Sequence, residues 1–293
     1  MKTLNVVGCG KVGRMLARLW ADAHVFRIQD VLNRTEESAE GAVRFIGAGR
    51  VVTSVEAMAH ADVWLVATTD GAIVAVCRRI ADARRLRPGD IVFHPSGSLP
   101  SSACAFLREQ GAALASVHPV KTVPDPQAAV ATFAGTYCAM EGDGPALTVL
   151  RPAFEAIGGR VFHVDTAHKT IYHAASVFAC NYLTALMEVA LAAYEKAGIP
   201  REQALKVAEP LVRETVENIF RLGPVEALTG PIARGDAATV ERQLHALGAW
   251  NAGLAELYRR LGEVAVTLAE RKGVAGPEAL ARLQEILRVE GGG

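Results

Sequence analysis

A chain of 293 residues that is 51% hydrophobic and 21% charged has enough apolar material for one large core or two ordinary ones, which excludes the disordered classes. Lys+Arg and Asp+Glu balance at 31 each, so no bulk field draws the chain to nucleic acid or to an anionic membrane. The five cysteines (Cys9, Cys77, Cys104, Cys138 and Cys180) show no CxxC spacing and lie mostly in apolar runs, which reads as buried thiols in a reducing compartment and excludes a disulfide framework or a metal site.

The opening "MKTLNVVGCG" enters a glycine motif too early for a signal peptide, so a soluble, cytoplasmic protein is expected. Short apolar runs then alternate with helical stretches. The runs are "LNVVG" (4–8), "FRIQDVLN" (26–33), "DVWLVAT" (62–68), "DIVFH" (90–94), "ALASVH" (113–118), "GTYCAME" (135–141) and "GGRVFHVD" (158–165). This grammar predicts βαβ units over 1–164, a doubly wound parallel sheet.

Residues 165–293 read almost entirely helical. Asp165 or Thr166 caps a long helix that ends near Gly198-Ile199-Pro200. Its apolar run, 174–193, carries Asn181 and Glu188 and is read as a buried helix rather than a membrane span. Pro210 predicts a kink or break in the next helix, and Asp236 can cap "AATVERQLHAL". Helices over about 249–271 and 277–290 close the chain, and the terminal "GGG" reads as frayed. The expected fold class is therefore α/β, with an all-α second domain after residue 164.

"VVGCGKVG" places Gly8, Gly10 and Gly13 in GxGxxG spacing, directly after a strand and opening a helix. In that position the motif is a dinucleotide fingerprint. Gly8 allows a tight turn, Gly10 lets backbone approach a pyrophosphate, and Gly13 lets helix and strand pack closely. Lys11 and Val12 complete the loop, and the helix N-terminus offers free N–H groups to phosphate.

About 20 residues on, where an acid would grip the ribose of NAD, stand Asn33, Arg34 and Thr35. A carboxylate there repels a 2′-phosphate, whereas a guanidinium welcomes one, so NADP(H) is the expected cofactor. Two alternatives stay open: Arg34 as a solvated strand-end residue, and Glu36 or Glu37 as the ribose acid in a shifted register.

Ligands of open α/β sheets bind outside the carboxyl ends of the strands. Those ends carry Thr68, Thr69 and Asp70, then His94 with Ser96 and Gly97, then His118 before Pro119. The first three, with Ser96 and Gly97, suit the nicotinamide side of the cofactor, although Thr69 or Asp70 can equally cap the next helix. Proline holds each preceding histidine extended, and His118 is the stronger candidate for contact with substrate.

Along "HKTIYHAASVFACNY", Lys169, His173 and Asn181 form a polar stripe on an otherwise apolar helix. Hydride transfer to a carbonyl or imine needs a proton donor and orienting donors. Lys169 fits the acid, His173 its partner or substitute, and Asn181 a substrate-positioning amide. The alternative is an exposed first-turn lysine and a satisfied core asparagine.

Taken together, the motifs "GxGxxG", "NRT", "TTD", "HPSGS", "YCAMEGD", "HAASVFACNYL" and "ALTGPIARGD" resemble the Rossmann-like proteins with a C-terminal domain of unknown function, the deazaflavin-dependent-NADP-reductase-like oxidoreductases. The likeness covers nearly the whole chain and extends to ketopantoate reductase, pyrroline-carboxylate reductase and 6-phosphogluconate dehydrogenase. It implies an NADP-binding Rossmann domain, a helical 6-phosphogluconate-dehydrogenase-like domain that forms a homodimer, and a small-molecule substrate in the cleft between the domains. In those relatives a lysine early in the first long helix serves catalysis, with an asparagine one turn later. Lys169 matches the lysine, and His173 stands where the asparagine would be.

The expectation from sequence is an NADP(H)-dependent reductase of a small, anionic carbonyl compound (ketopantoate-like) or an imine, with no metal, nucleic-acid or membrane partner. A non-catalytic NADP sensor is the competing expectation.

Overall fold

The computed structural model describes residues 1–288 and divides into two compact units, Met1–Tyr182 and Leu183–Gly293. The expectation of a frayed 291–293 lies outside the described residues. The change from mixed to purely helical grammar near 165 falls inside the first unit, so the boundary by packing lies further along the chain than the boundary by element type.

The first unit is built on one eight-stranded sheet: β1 (Lys2–Val7), β2 (Phe26–Leu32), β3 (Arg50–Val52), β4 (Val63–Val66), β5 (Ile91–His94), β6 (Ala113–Pro119), β7 (Tyr137–Gly142) and β8 (Arg160–His163), in the order β3-β2-β1-β4-β5-β6-β7-β8. The order reverses at β1 and β4, the switch point where such sheets bind ligands. The seven expected strands are present. β3 was not expected, because three residues are too few for a periodic signal. The sheet is not wholly parallel either: β7 runs antiparallel to β6, setting Ser116 opposite Glu141 and His118 opposite Ala139.

Helices α1 (Lys11–Asp22), α2 (Glu36–Ile46), α3 (Asp70–Asp82), α4 (Pro126–Ala131) and α5 (Gly144–Glu155), with a 3-10 segment over Ser101–Gln110, accompany the sheet. One core gathers Trp20, Phe26, Phe93 and Phe154 edge to face, with Trp20 donating to the Ala153 carbonyl at 2.9 Å. The other gathers Trp64, Ile73, Ile80 and Leu107. A sheet buried on both faces explains why its strands read as continuous apolar runs rather than alternating ones.

Beyond β8 the expected single long helix is interrupted. Asp165 does cap, accepting from Ala167 N at 2.9 Å, but a 3-10 turn (Thr166–His168), α6 (Lys169–Val177) and a π turn (Phe178–Tyr182) precede α7 (Leu183–Lys196). The expected burial of 174–193 is corrected as well. Phe178 is 67% exposed, Tyr182 51% and Leu183 41%. By length and composition alone, Thr166–Lys196 could also cross a membrane. Apolar composition shows that a face wants cover, not what covers it. Cys180 is exposed, unlike the four buried cysteines.

The second unit comprises α7, α8 (Arg201–Leu222), α9 (Pro224–Ala227), α10 (Gly230–Arg234), α11 (Ala237–Trp250), α12 (Ala252–Lys272) and α13 (Pro277–Leu287), around Val240, Val266, Leu280, Leu283 and Leu287. α8 continues through Pro210, so the expected kink or break is not a break. The proline lies on an exposed face, where the carbonyl that loses its partner is open to water. "TGPIARGD" is a structural turn in this unit: Gly235 ends α10 at φ 75°, and Asp236 caps α11 by accepting from Thr239 N at 3.0 Å.

Candidate functional site

The loop from β1 into α1 divides its three glycines by task. At Gly8, with φ 79°, a β-carbon would overlap the Thr68 side chain and come 2.8 Å from Thr68 N. At Gly13 it would meet Ala67 Cβ at 3.1 Å, so helix and strand are in close contact there. Gly10 faces open space, with nothing within 4 Å of where a β-carbon would stand. The N-terminus of α1 has no side-chain cap, which leaves its first N–H groups to an incoming phosphate. Lys11 is exposed at the head of the helix, and Val12 packs against the core.

Asn33 is spent on the loop itself: its carbonyl oxygen accepts from Cys9 N, and its amide donates to Ser38 Oγ at 3.0 Å. Thr35 caps α2, accepting from Ser38 N at 3.3 Å. Arg34, between them, is exposed and has no ion pair among the described residues. Glu36 and Glu37 are exposed in the first turn of α2, where acids complement the helix dipole.

At the end of β4, the Thr68 hydroxyl is buried without a partner among the described residues, Thr69 sits at the N-cap of α3 without a side-chain cap bond, and Asp70 accepts from Ser96 Oγ at 2.8 Å. Ser96 Oγ in turn accepts from Leu99 N at 2.9 Å and Ser98 N at 3.2 Å, which folds the "HPSGS" loop back on itself. Gly97 then presses against two rings. A β-carbon there would overlap His173 Nδ1 and approach His118 Nε2 to 3.0 Å.

Those two histidines belong to a cluster around a cavity of about 510 Å³ whose lining includes His118, Lys121, Tyr172, His173, Val177 and Asn181. His118 Nδ1 lies 2.9 Å from the Tyr172 hydroxyl, and the His118 and His173 rings meet edge to face at 5.6 Å. His173 Nδ1 is buried without a hydrogen-bond partner among the described residues. Burial, then His173 and Lys169, push His118 down to about 4, with Asp70 pulling weakly the other way. His118 is thus a neutral imidazole at physiological pH. Burial pushes Tyr172 up to about 12, so its phenol stays protonated. The structure brings His118, His173 and Asn181 together in one cavity, and it adds Tyr172, which sequence reading passed over.

Lys169 does not line that cavity. It is 1% exposed, and its ammonium donates to Ser116 Oγ and to Glu141 Oε1, the latter at 3.1 Å. Glu141, equally buried, also accepts from Ser101 N and Oγ, each at 2.8 Å, and from Thr166 Oγ1 at 3.1 Å. Burial pushes Glu141 up, but Lys169 and Ser101 together outweigh it and hold the carboxyl below its usual range. For Lys169 burial wins over Glu141, and its amine is pulled down. His94 is buried nearby, and burial first, then Lys169, push it down to about 4 against opposing pulls from Glu141, the Pro100 backbone and Asp70. The missed partner was legible: Glu141 is a carboxylate inside the apolar run "YCAMEGD" and required a buried cation.

Two domain families match the chain: the Rossmann-like domain over residues 2–119 and a domain of unknown function, DUF2520, over 136–265. The pairing read from the motifs is therefore present. No curated protein matches the chain. Among solved structures, a protein of Thermotoga maritima is 24% identical with TM-score 0.73, covering 92% of this chain and 100% of its own. A candidate NADP oxidoreductase of Bacteroides fragilis is 23% identical with TM-score 0.72, covering 92% and 98%. An imine reductase of Myxococcus stipitatus in complex with NADP+ is 19% identical with TM-score 0.60, covering 97% and 92%. These similarities show the fold.

Proposed function

We propose that the chain is an NADP(H)-dependent reductase that transfers hydride to a small carbonyl compound, of the 2-oxo acid type, or to an imine. The observation that carries the reading is the glycine loop. Gly8 and Gly13 are pressed against protein, while Gly10 alone faces open space at the uncapped head of α1, which is the arrangement a pyrophosphate requires. Arg34, exposed and unpaired among the described residues, suits the 2′-phosphate. The NADP+ held by the Myxococcus imine reductase and the NADPH held by a reductive aminase of Aspergillus terreus favour the same cofactor.

Hydride arriving at a carbonyl leaves an oxyanion that must be protonated. Tyr172, protonated and hydrogen-bonded to neutral His118, is the donor in this reading; His118 fixes the phenol, and His173 and Asn181 orient the substrate. The cavity lining holds no carboxylate and includes Lys121, which suits a small anion. An imine would arrive already protonated and would use the same groups for orientation. The exposed apolar residues around Phe178 and Leu183 are read as the face of a homodimer, covered by a second copy rather than by lipid, in a cytoplasmic protein. Fluorescence titration with NADPH and NADH tests the cofactor assignment: NADPH binds the more tightly, and a protein that binds neither is not this reductase.

A further inference from the structure

We propose that the buried ion pair of Lys169 with Glu141 is the anchor that seats α6 on β6 and β7, and that Lys169 thereby positions Tyr172 and His173 against His118 rather than donating a proton itself. The proposal rests on the reductase reading for its functional consequence. Its physical content concerns α6 alone.

The first observation is what α6 buries. An amphipathic helix normally seats itself with leucine or valine. In α6 the one buried residue is Lys169, while Ile171 is 70% exposed. The helix is therefore fixed by polar contacts of definite geometry, since apolar burial supplies little.

The second observation is register. Ser116 and Glu141 stand directly opposite each other on β6 and β7, so one ammonium reaches both. Two residues further along β6 comes His118, on the same face of the strand. Along α6, three and four residues beyond Lys169, come Tyr172 and His173, the two residues that meet His118. Two strand residues span about 6.6 Å and four helix residues about 6 Å, so a helix pinned at Lys169 delivers its next turn to His118.

The third is how completely Glu141 is held. With donors from Ser101, Thr166 and Lys169, it fixes both the start of α6 and the 3-10 segment after the "HPSGS" loop, whose Gly97 closes on the two histidines. Ser116 Oγ passes the chain of bonds on to the Ser96 carbonyl at 3.1 Å. A lysine engaged in this way is poorly placed to release a proton to substrate in every turnover.

The groups facing His118 are His173, Lys169 and Tyr172 from α6 and Asp70 from α3. Removing the Lys169 charge and releasing α6 both ease protonation of His118. The test is a histidine-labelled NMR titration and a thermal melt on the full chain without ligand, for the wild type, Lys169→Met and the double variant Lys169→Met/Glu141→Gln. Lys169→Met lowers the melting temperature, moves the His118 midpoint up by roughly one pH unit and shifts the His173 resonance. The double variant regains most of the lost melting temperature, because no unpaired carboxylate stays buried, yet keeps the displaced His118 midpoint. Should Lys169→Met fail to fold, the double variant carries the readout. The His118 midpoint moves with the Lys169 charge alone, so the anchor is judged on His173: an unchanged His173 resonance in the double variant would overturn it. None of these readouts needs turnover, so a failed anchor is distinguishable from a protein that fails to bind NADPH.

Discussion

The Tyr172 hydroxyl lies 2.9 Å from His118 Nδ1, joining the first helix turns after the sheet to the carboxyl end of β6. Tyr172→Phe removes the acidic proton and keeps the ring that packs against Phe162 at 6.1 Å. Turnover of NADPH is expected to fall by roughly 10²–10⁴-fold, with cofactor affinity within about twofold of wild type. Stopped-flow hydride transfer alongside a binding titration separates the two. Equal losses in turnover and affinity would assign Tyr172 a structural role.

The glycine loop makes a paired prediction. Gly10→Ala meets nothing in the protein, so its melting temperature holds while NADPH affinity falls at least tenfold, because the methyl occupies the phosphate's approach. Gly8→Ala meets Thr68 and must also hold φ 79°, so it loses roughly 1–3 kcal/mol of stability as well as the cofactor. Melts and titrations on both variants check the division of labour.

In the proposed reading, exposed Arg34 is the residue that discriminates between cofactors. Replacing it with glutamate sets a carboxylate where the 2′-phosphate is expected and where a ribose diol would accept it. The NADPH over NADH preference should fall by roughly tenfold to hundredfold and approach reversal. A variant that keeps the wild-type preference would move the assignment to another residue.

His94 and His118 give stability a defined pH window. Each has a folded value of about 4 against an ordinary 6.5, so below 6.5 the unfolded chain takes up protons that the folded chain refuses. Stability is therefore lost as pH falls from 6.5 towards 4, by about 3 kcal/mol for each group. Glu141 works at lower pH, since its depressed folded value protects the fold until acid reaches the carboxylate range. Urea melts between pH 7 and 4 should show the slope, and His94→Leu should remove about half of it.

The sequence made the cofactor half legible because it is local. Gly8, Gly10, Gly13 and Arg34 lie within one βαβ unit, and the close packing of Gly8 and Gly13 and the open space at Gly10 follow from that spacing. The cap at Asp236 was legible for the same reason. The polar stripe of α6 was visible too, but its meaning depended on which strands lay beside it. Nothing in the spacing of Lys169 and His173 indicates that an antiparallel β7 brings Glu141 opposite Ser116, so the burial and pairing of Lys169 were not legible, and Tyr172 went unnoticed. Gly97 read as part of a cofactor loop, and its pressure on His118 and His173 follows from tertiary packing. The π turn at Phe178–Tyr182 and the exposure of the apolar run that follows also had no local signal, since composition is the same whether a face is covered by its own chain or by another.

The most direct measurement is NADPH consumption by the purified full chain with ketopantoate and with a cyclic imine, run in parallel with Tyr172→Phe. Turnover with one of these substrates and its collapse in the variant, with NADPH still bound, is the expected result. Tight NADPH binding without turnover on any oxo acid or imine would contradict it and would make the chain a sensor of NADP rather than a reductase.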